Sequence, residues 1–86
     1  MASYELVFKR SVTKDLRALP NKDVARLLER ISALADEPRP AGCEKLSGLE
    51  RYRVRQGDYR IIYEIQQQRL IVLIVKVGHR KDVYKP

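Results

Sequence analysis

The 86-residue chain contains one cysteine, Cys43, one histidine, His79, and no tryptophan. A lone cysteine cannot close an internal disulfide, and a Cys/His zinc site lacks ligands, so neither a covalent staple nor a structural metal is expected. No apolar run approaches the length of a membrane span and no signal peptide precedes Tyr4, so a soluble, cytoplasmic protein is expected. Neither a GxxxxGK phosphate loop nor a GxSxG nucleophile elbow occurs. Their absence argues against nucleotide hydrolysis and serine-hydrolase chemistry and leaves no cofactor to expect. Acidic residues are scarce as well. Eleven Asp and Glu face eighteen Lys and Arg, a net charge of +7 with a pI near 9.9. Such a surface attracts polyanions, unless the charge is merely scattered in solvent, and its placement decides between the two.

What is present reads as one small α+β domain, residues 1–86, with no repeats or linkers. SYELVFK, residues 3–9, alternates with Tyr4, Leu6 and Phe8 on one side, the period of a half-buried strand. Val12, Leu16 and Leu19 form a short helical stripe that Pro20 ends, and Asn21 is placed to cap a second helix. Val24, Leu27, Leu28, Ile31, Leu34 and Ala35 recur at helical spacing up to Asp36. The two helices are expected to lie antiparallel over one sheet face, with Lys14, Arg17, Lys22, Arg26 and Arg30 in solvent. EPRPAGCEKLSG, residues 37–48, reads as a loop. Strands follow at 51–55, 59–67 and 69–78, giving a three-stranded antiparallel sheet. LIVLIV, residues 70–75, is apolar on both alternations, as expected of an interior strand covered on both faces.

RYRVRQGDYRIIYEI, residues 51–65, holds four arginines and three tyrosines. A two-residue loop at Gly57-Asp58 pairs Gln56 with Tyr59, Arg55 with Arg60, Arg53 with Ile62, Tyr52 with Tyr63 and Arg51 with Glu64. One face then carries Tyr52, Val54, Tyr59, Ile61, Tyr63 and Ile65 as core. The other carries Arg51, Arg53, Arg55, Arg60 and Ile62, with Glu64 its only acid. Like charges directly opposite one another destabilise a strand pair. An anion between them reverses the sign, because guanidinium forks bind phosphate oxygens bidentately. A three-residue loop with a bulge would instead scatter the arginines.

His79, Arg80, Lys81 and Tyr84 form a second basic cluster past the last strand. Together the clusters suit metal-free RNA cleavage, in which the 2′-OH attacks its own phosphodiester. A base takes the 2′ proton, an acid protonates the leaving 5′ oxygen, and cations stabilise the charge growing on phosphorus. Arginine serves the third role but not the first, since it stays protonated. Proton transfer would fall to His79, Tyr84, Glu44 or a group of the ribosome.

KLSG at 45–48, GDYRIIYEI at 57–65 and VGHRKDVY at 77–84, in this order after a strand and two helices, resemble the RelE family of the RelE/ParE toxin superfamily. The resemblance implies a type II toxin that enters the ribosomal A site and cuts mRNA there, held in check by a RelB-like antitoxin. It also implies catalytic or phosphate-binding roles for Arg53, Arg55, Arg60 and Arg80 and a catalytic role for the C-terminal Tyr84; the placement of charge adds Arg51 and Lys81 to Arg53, Arg55 and Arg60 as expected RNA contacts. Where RelE toxins carry lysines this chain has Arg53 and Arg55, so the base moves elsewhere, and Glu44 and His79 are the counterparts of a Glu and a His used by related toxins. The alternatives are a ParE-like gyrase inhibitor without RNase activity and a non-catalytic RNA-binding module.

Overall fold

A computed structural model describes residues 3–46 and 50–79. The chain forms β1 (Glu5–Phe8), α1 (Arg10–Arg17), α2 (Asn21–Ala33), β2 (Glu44–Leu46), β3 (Arg51–Gln56), β4 (Tyr59–Gln66) and β5 (Ile71–His79). The strands make one sheet in the order β1-β5-β4-β3-β2. β1 runs parallel to β5 and the other neighbours are antiparallel. The sheet is thus mixed and five-stranded, where the sequence predicts an N-terminal strand and three antiparallel ones. The extra strand, β2, lies inside the segment predicted as loop. Two prolines and two glycines surround it, so its three residues carry no alternation long enough to register.

Both helices pack on one face of the sheet, α1 chiefly against β5 and α2 against β3. Val12, Leu27, Ile31 and Leu34 are fully buried against Tyr52, Val54, Ile61, Tyr63, Val72, Ile74 and Val77. Burying each aliphatic side chain of this set contributes about 1.5–3 kcal/mol. Leu28, predicted in the apolar stripe, is instead 40% exposed. The second helix starts one residue earlier than predicted, because the Pro20 carbonyl accepts the amides of Asp23 and Val24, and Asn21 is the first helical residue rather than the cap. Proline suits that boundary, since its own missing N–H would have had no partner there. The helix ends at Ala33, three residues before the predicted end at Asp36, and the turn then tightens, with the Leu34, Ala35 and Asp36 amides donating three residues back. Among the described residues no helix is long and apolar enough to cross a membrane.

β5 lies in the sheet interior as predicted, but the helices cover only one of its faces. Val72 and Ile74 are buried while Ile71 and Leu73, on the opposite side, are half-buried. Pairing of Ile62 with Lys76 and of Tyr63 with Ile74 leaves Val75 as an extra residue on β5, a β-bulge. The bulge reverses the alternation, so Val77 and His79 return to the helix side and Lys76 and Gly78 face away from it.

Candidate nucleic-acid interface

The β3–β4 hairpin has the predicted register at all six pairs, from Gln56 opposite Tyr59 to Arg51 opposite Glu64. Its two-residue turn depends on Gly57, whose φ of 60° lies in the left-handed region, whereas Asp58 does not, the pattern of a type II′ turn. This turn matches the twist of the strands, so no bulge displaces the arginines.

On the sheet face away from the helices, side chains fall into rows across the strands, about 6.6 Å apart. The row nearest the turn holds Arg55, Arg60 and Gly78. The next holds Glu44, Arg53, Ile62 and Lys76, and the third Leu46, Arg51, Glu64 and Leu73. Arg55 is exposed and makes no ion pair with a described residue, whereas Arg60 directly opposite it is only 9% exposed. Arg53 Nη2 reaches Glu44 Oε2 at 2.5 Å, and Arg51 Nε lies 3.9 Å from Glu64 Oε1. These rows carry five cations and two carboxylates, a net +3.

Glu64 is therefore not the only acid on this face. β2 brings Glu44 onto it, paired opposite Arg53. β2 is anchored from the helix side. Lys45 Nζ lies 3.2 Å from Glu50 Oε1, and that hydrogen bond, more than any other contact, holds the Glu50 carboxyl below the usual carboxylate range. The Tyr52 hydroxyl donates to Glu50 Oε2 at 3.3 Å and accepts from Arg39 Nε at 3.1 Å, with the Arg39 guanidinium 5.2 Å above the Tyr52 ring. One residue earlier the Pro38 carbonyl accepts from the fully buried Tyr63 hydroxyl at 2.5 Å. Burial pushes the Tyr63 phenol well above its ordinary value. The proline-containing segment is thus pinned at both ends of the Pro38-Arg39 step, and Cys43, predicted in a flexible loop, packs half-buried against the core.

His79 is not on the arginine face. It pairs opposite Tyr59 on the helix side, with the two rings edge to face at 6.0 Å. There the two residues line an open cleft of about 350 Å3 with Asp23, Arg26 and Asp58. The Tyr59 hydroxyl donates to Asp23 Oδ2 at 2.8 Å, which raises the phenol's pKa. Of the residues singled out from sequence, Arg51, Arg53, Arg55, Arg60 and Glu44 share one face, His79 occupies the other, and Arg80, Lys81 and Tyr84 lie outside the described residues. Lys76 is an addition. Nothing in the run LIVLIVK marks which side the lysine takes, because the bulge at Val75 decides it.

A family model described as the ParE toxin of type II toxin-antitoxin systems matches residues 6–84. Toxin RelG of Mycobacterium tuberculosis is 31% identical over 86 residues, spanning 95% of this chain and 97% of its own. The putative toxin RelE1 of Methanocaldococcus jannaschii is 30% identical, spanning 95% and 96%. Among solved structures, a chain of the archaeal RelE-RelB complex from Pyrococcus horikoshii superposes with a TM-score of 0.83 at 32% identity, over 94% of this chain and 99% of that one. A chain of the toxin-antitoxin complex RelBE2 from Mycobacterium tuberculosis gives 0.81 at 28% identity, over 91% and 99%. The fold that holds the strand, helix pair and hairpin read from the sequence superposes on these solved structures, and the chain belongs to the RelE family of type II toxins, within the RelE/ParE superfamily.

Proposed function

We propose that the protein is a ribosome-dependent endoribonuclease that cuts mRNA in the A site, in the cytoplasm, by metal-independent attack of the 2′-OH. The observation that carries this reading is the direct apposition of Arg55 and Arg60 in a row of cations. Two guanidinium forks set side by side offer a phosphate several charge-assisted hydrogen bonds and stabilise the extra negative charge of the pentacoordinate state. Arg53, Arg55, Arg60 and Arg80 hold phosphate, Arg51 and Lys81 contact neighbouring backbone, and Tyr84 stacks on or donates a proton beside the scissile nucleotide.

The 2′ oxygen forms a bond to phosphorus, its proton passes to a base, the bond from phosphorus to the 5′ oxygen breaks, and that oxygen takes a proton. The products are a 2′,3′-cyclic phosphate and a 5′-OH. Glu44 is the better placed base, since its carboxylate lies among the arginines while His79 faces the helices. A RelB-like antitoxin completes the reading, by analogy with the RelE-RelB complexes that this fold resembles. The ParE description of the matching family favours a second reading, gyrase inhibition without RNA cleavage. Primer extension on mRNA incubated with the toxin, with and without programmed ribosomes, separates the two. Cuts that appear only with ribosomes support the first reading. Intact mRNA alongside inhibited DNA supercoiling supports the second.

A further inference from the structure

α1 presents a second basic surface, on the side of the molecule opposite the arginine rows. Arg10, Lys14 and Arg17 follow one another at i, i+4 and i+7, which places them within about 60° of one another around the helix. All three are exposed, as is Lys9 just before them. None makes an ion pair with a described residue. The only acid on the helix, Asp15, is turned towards the sheet, where its Oδ2 lies 3.5 Å from the Val77 amide. α2 differs, because its cations Lys22, Arg26 and Arg30 share their stripe with Glu29.

Like charges three and four residues apart on a helix oppose its formation; Lys14 and Arg17 in the last turn complement the helix dipole, but Arg10 in the first turn opposes it, so helix stability does not account for the whole stripe. It cannot assist the arginine rows at a distance either. α1 packs on the helix side of the sheet, the rows face the other way, and the molecule's smallest extent is 25 Å. That is well beyond the screening length of about 8 Å at physiological salt. If the stripe binds, it binds through contacts of its own.

We infer that the outer face of α1 is a docking surface for the phosphate backbone of structured RNA, so that the toxin is held between two RNA segments, mRNA on the sheet face and ribosomal RNA on the helix face. The inference rests on the ribosome-bound reading above. Each phosphate contact contributes roughly 0.7–0.9 to the slope of log affinity against log salt. The test compares the binding of wild type and a triple variant, Arg10→Gln, Lys14→Gln and Arg17→Gln, to mRNA-programmed ribosomes across a potassium chloride series. The variant is expected to stay folded, with a slope shallower by about 2 to 3. A second variant, Lys22→Gln with Arg26→Gln and Arg30→Gln, should change the slope less.

An unchanged slope in the α1 variant, or an equal or larger change in the α2 variant, overturns the assignment. So does loss of affinity for an antitoxin with ribosome binding intact. Wild type that binds ribosomes poorly and cuts nothing refutes the parent reading instead. Wild type that binds and cuts, with an unchanged slope in the α1 variant, refutes this inference alone.

Discussion

Replacing Arg55 by Gln should make the protein more stable. Arg55 stands directly opposite Arg60, with Cβ atoms about 5 Å apart, and the longer side chains put their charges at roughly 7 Å. Two unit charges at that distance repel by about 0.6 kcal/mol in water. Screening reduces this to about 0.5 kcal/mol in 0.01 M salt, about 0.25 at 0.15 M and close to zero at 1 M. For a chain of this size 1 kcal/mol moves the melting temperature by about 4–8 °C, so the variant should melt roughly 2–4 °C higher in low salt. The gain should vanish at 1 M. Thermal unfolding followed by circular dichroism at three salt concentrations gives the answer. If Arg55→Gln melts at or below wild type in low salt, or if its gain is insensitive to salt, the arginine pair is not electrostatically costly and needs no ligand to explain it.

Glu44→Gln preserves the hydrogen bond to Arg53 but cannot accept a proton, so cleavage should fall by about 10²–10⁴ with ribosome affinity kept, while His79→Gln should stay within about tenfold. Pre-steady-state cleavage assays distinguish the two. Tyr63→Phe leaves the buried Pro38 carbonyl without its donor and should cost about 1–3 kcal/mol in denaturant unfolding. Because the folded Tyr63 phenol titrates above its unfolded value, its stabilising contribution is complete below about pH 10 and is lost as pH rises further, so the same variant should show a shallower alkaline loss of stability. Leu70 adopts φ 54° in the β4–β5 turn and is 40% exposed, so Leu70→Gly should relieve left-handed strain and stabilise by about 0.5 kcal/mol, read from the urea midpoint.

The hairpin is legible in the sequence because two independent signals coincide there. Alternation over ten residues sorts tyrosines from arginines, and a glycine at the first turn position pins the register that alternation alone leaves open. β2 lacks both signals, being three residues long and following Pro38, Pro40 and Gly42, and with it the place of Glu44 on the arginine face goes unseen. β5 hides its bulge for the opposite reason. When every residue from Leu70 to Val75 is apolar, no change of phase shows, and unbroken alternation from Val72 would put His79 on the arginine side. Val75 sends it to the other. The consequence is functional, because one extra residue separates the two candidate bases across the sheet.

Cleavage by the proposed mechanism depends most directly on Arg60. Single-turnover cleavage of an A-site codon on programmed ribosomes, compared between wild type and Arg60→Ala, should show a rate lower by about 10²–10³ with ribosome affinity nearly unchanged and cyclic-phosphate ends in both. An Arg60→Ala toxin that is folded and cuts at the wild-type rate would contradict it.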